Sequence, residues 1–356
     1  MSKRLRRNAE PALEDLRLLA RFRSSRLPSL LETLAAIGDL RLGPDISLSG
    51  RQKNAWTIIE KLQREGTRLE TVQDVSGIRL VVPGDRNRQN QVVRDIERAF
   101  GGRTRALDRR LRPSHGYRAV HVVIDPDGAP VEVQVRTGWQ DKWAQLFERL
   151  GDQWGRQIRY GGPPDAPDEV LLVGGVEIPR GEVVEYLRQT AEFIDEAESA
   201  EVQLSGQETL LAAEADDSYA GIVLERTRDL SVKKATVSDL YRRAEDLIRS
   251  VRQLAPEIDV QPPPGSVPIR DTLRRLLFAP GKAFFVIAYR RSGRTLIEVS
   301  RCNLAQEAAH AHSRLTEIYF ADRDVEIVLL FGVGDALLTT HARYFRGWAG
   351  LARAPV

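Results

Sequence analysis

Two carboxylates, a group of cations and two rings within residues 51–136 are where this chain could do chemistry. In the segment VEVQVRT at 131–137, Val131, Val133 and Val135 alternate with Glu132, Gln134 and Arg136. A strand there shows one valine face and one face carrying a carboxylate, an amide and a guanidinium. Burial accounts for the valines and gives no reason for the polar row. Tyr117 and His121 lie in the preceding alternating run, and Asp74 stands just ahead of another strand candidate at 75–82. Carboxylates on neighbouring strands could hold Mg²⁺ beside phosphates. Arg51, Lys53, Lys61 and Arg79 surround the Asp74 segment, and Arg109, Arg110 and Arg112 precede the hairpin. Several such donors neutralise a triphosphate, and a flat guanidinium also stacks on a base. Tyr117 could stack a second base, with His121 donating near the phosphates. Each residue also has an ordinary role open to it: Asp74 capping a turn, His121 satisfied in a core, the lysines on a solvated helix face.

The elements that must position these groups follow from period and punctuation. The runs 117–124 and 131–135, split by an Asp-Gly turn within 125–130, predict an antiparallel hairpin. A helix is expected over 51–66 with Gly66 as its C-cap, a strand over 75–82, a helix over 90–100, a short strand over 104–107 and a helix over 139–159. Upstream, 8–40 reads as two helices separated near Leu27-Pro28, and 42–50 as an extended connection. This β-α-β-β-α order gives a mixed α/β (α+β) sheet covered by helices. Further on, 161–168 and 261–268 read as linkers, with helices at 180–203, 206–218 and 237–254 between them. A ββαβα unit closes the chain: a hairpin over 282–300, a helix over 304–319, a strand over 325–333 and a helix over 335–344. The expected division is 1–160, 161–268 and 269–356. The acidic helices at 180–218 could pack on the basic face of the first unit or mediate self-association.

Composition bounds the class. The 356 residues are 42% hydrophobic and 29% charged, as in ordinary globular proteins, and suffice for two cores. The net charge is +3, so any basic surface must come from uneven distribution. The single cysteine, Cys302, excludes an internal disulfide and a multi-cysteine metal site. MSKRLRRNAE has no apolar stretch behind its charges, and no segment reaches the length of a membrane span, so a cytoplasmic protein is expected.

R-x-K at 51–53, Lys61, DVSGIR at 74–79, HGYRAVH at 115–121 and VEVQVRT at 131–137 occur in the order and spacing of the RelA/SpoT synthetase domain. Over roughly residues 20–160 the chain resembles that family, in its small alarmone synthetase branch or the toxin relatives. The resemblance implies a nucleotidyltransferase-like fold related to polymerase β. It also implies transfer of the β,γ-pyrophosphate of ATP to a ribose 3′-hydroxyl of GDP or GTP. On that likeness Asp74 and Glu132 hold Mg²⁺ and Glu132 acts on the attacking hydroxyl. Arg51 and Arg79 sandwich adenine, Lys53 and Lys61 steady the ATP phosphates, and Tyr117 and His121 meet the acceptor, supported by Gln134 and Arg136. The likeness lapses where the family continues W-A-E-I-E-H. Here Trp143–Glu148 reads WAQLFE, and the helix receives no role. The five histidines include no His-Asp dipeptide of the hydrolase type. Two other readings accompany the first: a toxin-type enzyme acting on adenine nucleotides or the tRNA 3′ end through the basic residues at 103–112, 149, 156 and 159, and a non-catalytic nucleotide sensor. Residues 165–356 carry no motif tied to chemistry, and restraint of the first unit by the C-terminal half is one role open to them.

Overall fold

The computed structural model describes residues 10–43, 45–125, 127–173, 176–213, 220–254, 273–291, 295–334, 337, 338, 341, 344 and 345. A long helix, α1 (Leu13–Asp39), leads to strand β1 (Ser47–Gln52), helix α2 (Ala55–Glu65), strand β2 (Ser76–Val82) and helix α3 (Arg86–Phe100). Strands β3 (Thr104–Asp108), β4 (Val120–Ile124) and β5 (Val131–Thr137) and helix α4 (Gly138–Trp154) complete the first sheet unit. The strand order is β1-β2-β5-β4-β3. Only β2 and β5 pair in parallel, so the sheet is mixed, as expected.

Side-chain alternation divides this sheet cleanly. Ile78, Leu80 and Val82 of β2, Val120, Val122 and Ile124 of β4 and the three valines of β5 face a core shared with Leu30, Leu34 and Ile37 of α1. α1 is one helix rather than two, with Pro28 inside it. An interior proline costs about 3 kcal/mol, and here Leu27, Leu30, Leu31 and Leu34, buried on both sides of it, hold the two halves to one core. A second expectation fails at Arg51, which lies on β1 and not at a helix start. β1 pairs antiparallel with β2, and Gly50 faces α1, where a Cβ would sit 3.2 Å from a Leu34 methyl. The helix begins only after Asn54, whose Oδ1 accepts the Thr57 amide at 2.7 Å.

Beyond α4, and past the stretch 161–168 read as a linker, β6 (Val170–Val173) and β7 (Val176–Pro179) form a hairpin for which the sequence reading had no element. α5 (Arg180–Ala213) runs unbroken across both predicted acidic segments as far as Ala213. α6 (Ala220–Leu254) starts well before residue 237 and packs along α5 through Ala197, Leu204 and Val237. The carboxylates of α5 meet cations of the first unit: Glu198 accepts from Arg86 at 3.0 Å, and Glu192 from Arg118 at 2.7 Å. The Trp143 indole donates to the Leu187 carbonyl at 2.7 Å.

A second sheet follows from β8 (Lys282–Arg290), β9 (Thr295–Cys302), helix α7 (Ala305–Ile318) and β10 (Val325–Val333), in the order β10-β8-β9. Ile327 and Leu329 join the core of the first sheet, and Val328 and Leu330 face the other way. β10 lies beside β1: a Cβ on Gly332 would stand 3.6 Å from the Leu48 carbonyl oxygen. The linker at 261–268 and most of the closing helix at 335–344 fall outside the described residues. No helix among the described residues is long and apolar enough to cross a membrane.

Candidate active site

The polar face of the first sheet forms the floor of an open cleft. Register explains how. Arg51 pairs with Gly77 and Gly77 with Glu132; one step on, Ser49 pairs with Arg79 and Arg79 with Gln134. All six therefore project from one face. A Cβ on Gly77 would find only backbone oxygens at 3.8 and 3.9 Å, so glycine leaves that part of the floor flat and open.

Asp74 stands at the head of β2, where its Oδ2 accepts from Lys53 and, at 2.8 Å, from Lys61 on α2. Burial alone would raise its carboxyl, but the two ammonium groups reverse this and hold it at about 2. Burial likewise lowers the Lys53 ammonium. The second oxygen, Oδ1, is buried without a hydrogen-bond partner. An orphaned anionic oxygen lining the same cleft as Glu132 fits a hard cation. Among the described residues no cluster of three or more His, Cys, Asp or Glu side chains adds further ligands. Mg²⁺ here would take the rest of its shell from phosphates and water, its usual habit.

Glu132 is held at both oxygens. His121 Nδ1 lies 2.9 Å from Oε1, and Gln134 donates to Oε2 at 2.9 Å. Tyr117 Oη lies 2.9 Å from His121 Nε2, and Arg136 donates to Tyr117 Oη at 3.2 Å. One proton assignment serves every bond: Arg136 to Tyr117, Tyr117 to His121 Nε2, and His121 Nδ1–H to Glu132. Burial would raise the Glu132 carboxyl, and the bond from His121 brings it below its ordinary value. It stands ionised and oriented.

Behind this pair lies an ionic frame. Arg79 donates to Glu148 at 3.1 Å and stands 3.8 Å from Asp141, and Arg136 donates to Asp141 at 3.0 Å. Burial opposes ionisation of Glu148, but Arg79, Arg51 and Arg136 hold its carboxyl well below the usual range. Arg79 is thus held through both terminal nitrogens, Nη1 near Asp141 and Nη2 on Glu148.

The ten residues singled out in the sequence thus meet in one place. Arg51, Lys53, Asp74, Arg79, Glu132 and Gln134 line the cleft. Lys61 reaches it through Asp74, and His121, Tyr117 and Arg136 through the chain behind Glu132. Tyr117 precedes β4 rather than lying in it. On α4, the helix where the family likeness lapses, Gln145, Glu148 and Arg149 line the same cleft. Their signal was legible: 141, 145 and 148 fall on one helical face. Val328, Leu330, His341 and Tyr344 also line it and had no signal in the sequence. Several basic residues read as an RNA track have protein partners: Arg110 binds Asp108 and Gln89, and Arg156 binds Glu60.

The family model described as "Region found in RelA / SpoT proteins" matches residues 50–149, the stretch that carries this floor. An uncharacterized protein of Mycobacterium tuberculosis is 33% identical over 186 residues, spanning 50% of this chain and 67% of that relative. The chain belongs to the RelA/SpoT family. Within it, a chloroplastic GTP diphosphokinase of Oryza sativa is 29% identical over 185 residues, which cover 45% of this chain and 31% of that enzyme. Among solved structures, small alarmone synthetase 1 of Bacillus subtilis, bound to its product pppGpp, is 24% identical with a TM-score of 0.30, over 44% of this chain and 77% of that one. The RelA/SpoT match ends at residue 149, so Val328, Leu330, His341 and Tyr344 lie outside it.

Proposed function

We propose that this protein is a pyrophosphokinase that moves the β,γ-pyrophosphate of ATP to the ribose 3′-hydroxyl of GDP or GTP, making (p)ppGpp. The observation that carries the reading is Asp74 and Glu132 lining one cleft with Arg51, Lys53 and Arg79. Arg51 and Arg79 take the adenine, and Lys53 and Lys61 face the phosphates. Lys53 and Lys61 now bind Asp74, so their charge is already placed at the end of the cleft where the triphosphate must lie. Mg²⁺ held by Asp74 and Glu132 supplies charge neutralisation and alignment of the phosphates. The acceptor hydroxyl attacks the β-phosphorus, the bond to the α,β-bridging oxygen breaks, and AMP leaves. The hydroxyl proton passes to Glu132, which His121 and Gln134 hold in place. Tyr117, whose ring lies 5.1 Å below the Arg136 guanidinium, sits on the acceptor side.

Label transfer from γ-³²P-ATP with Mg²⁺, offering GDP, GTP, ADP, ATP and bulk tRNA separately, tests this. Label on GDP or GTP that disappears in Glu132→Gln is the expected result. Label on tRNA or adenine nucleotides alone moves the acceptor reading to the toxin type, and no transfer to any acceptor rejects the enzyme.

A further inference from the structure

We propose that the second sheet supplies one wall of the donor-nucleotide site, with Val328, Leu330 and Tyr344 enclosing the ATP base and so setting donor specificity. This rests on the pyrophosphokinase reading above and extends it to residues that lie beyond the RelA/SpoT match.

The cleft has two chemically distinct sides. Lys53, Asp74 and Glu132 give one side its charge, while Val328, Leu330 and the Tyr344 ring give the other an apolar and aromatic lining. A nucleoside triphosphate has the same division, anionic at one end and flat and aromatic at the other. The polarity of the site therefore assigns the base to the β10 side, next to Arg51 and Arg79. Alternation along β10 is what presents this wall. Ile327 and Leu329 are spent on the core shared with α1 and α7, while Val328 and Leu330 pack in the second core and border the cleft from there.

The wall is also fixed in place. Tyr344 Oη donates to Glu326 Oε1 at 3.3 Å, and its ring meets Tyr289 edge-on at 5.3 Å between centroids, with an 84° interplanar angle. His341 Nε2 lies 2.8 Å from Ser49 Oγ, a buried polar contact between residues 292 apart in sequence. Ser49 is the β1 partner of Arg79, so this contact ties the wall to the strand pair that carries both arginines. A wall held by a ring contact and two hydrogen bonds is preorganised for a ligand. The same residues acting instead as a plug would have to leave before ATP could enter, and the two roles predict opposite changes on mutation.

The test is equilibrium binding to the full chain of α,β-methylene-ATP, whose α,β bridge cannot be cleaved, beside inorganic tripolyphosphate, which has no base. Loss of a ring that contacts a base weakens binding by about tenfold or more. Tyr344→Leu should therefore weaken the nucleotide by about that factor and leave tripolyphosphate unchanged. Val328→Ile adds one carbon to the wall, and should weaken the nucleotide several-fold with the same selectivity. Thermal melts confirm that both variants are folded. Unchanged nucleotide affinity in both variants overturns the proposal, and tighter binding in either identifies the segment as a plug. Wild-type protein that binds tripolyphosphate and not the nucleotide also overturns it. Wild-type protein that binds neither overturns the pyrophosphokinase reading together with it.

Discussion

The two sheets lie side by side and share a core, yet their central strands are built on opposite principles. β5 alternates valine with Glu132, Gln134 and Arg136, and its polar row lines or supports the cleft. β8 carries no such row: from Ala283 to Tyr289 every residue is buried, with Phe284, Val286 and Ala288 in one core and Phe285, Ile287 and Tyr289 in another. A strand apolar on both faces is a scaffold that must be covered twice. A strand apolar on one face alone leaves the other for chemistry. Mutations on the polar face of β5 should then separate activity from stability, and those in β8 should not.

The largest effect belongs to Glu132→Gln. Removing the general base should lower kcat by roughly 10²–10⁴-fold, while the melting temperature stays close to wild type because the amide keeps the shape and the Gln134 contact. A large loss of stability instead would break the contrast between the sheets. Phe285→Ala is the converse. Its fully buried ring lies in β8, and its removal should cost about 3–5 kcal/mol of unfolding free energy. Denaturant titration reads this directly, and a loss below about 1 kcal/mol would deny β8 its scaffold role.

Two histidines sharpen the comparison through pH. Burial, helped by Arg23, lowers His312 to about 3, and burial, helped by Arg79, lowers His341 to about 3. An unfolded histidine titrates near 6.5. Below that value the unfolded chain binds more protons than the folded one, so stability rises with pH in this range. As pH falls from about 6.5 toward 3, each histidine should remove up to about 1.4 kcal/mol per pH unit. Asp74 adds its own loss only lower, between its ordinary value of 3.8 and about 2. Unfolding titrations at pH 7, 6 and 5 should show this slope, and His312→Gln should cut it by about half. An unchanged slope would mean that His312 takes up its proton as readily in the folded chain as in the unfolded one. The smallest effect is expected at the Asn54 cap, where Asn54→Ala should cost about 1 kcal/mol. Because α2 carries Lys61, the KM for ATP should rise modestly as well. A KM equal to wild type would show that Lys61 is held by Asp74 alone.

Much of the first sheet was legible because its signals are local. The valine alternation of β5 states which residues share a face, and the Asp-Gly turn states that β4 returns antiparallel, as the register of His121 with Gln134 shows. Where local signals misled, a longer-range force had intervened. The Pro28 break was overridden by leucines on both sides packing against one core. Arg51 was read as helical because its neighbours Trp56, Ile59 and Leu62 have helical spacing, whereas pairing with β2 claims Ser47–Gln52 for the sheet. Glu148 was passed over because the comparison with the family motif stops matching there, and only the packed structure brings it to the cleft.

The sequence by itself determined the inventory: two carboxylates, a set of cations and two rings, with Glu132, Gln134 and Arg136 on one strand face and Lys61 on a helix flank. Those properties depend on the backbone period, which is written in consecutive residues. Only the tertiary structure decided that Asp74 is clamped by two lysines, that Glu132 ends a chain of bonds from Arg136 through Tyr117 and His121, and that β10 stands beside β1. These depend on strand order and on packing between segments as far apart as Ser49 and His341. No local period encodes them, because they arise when separate apolar faces find one core.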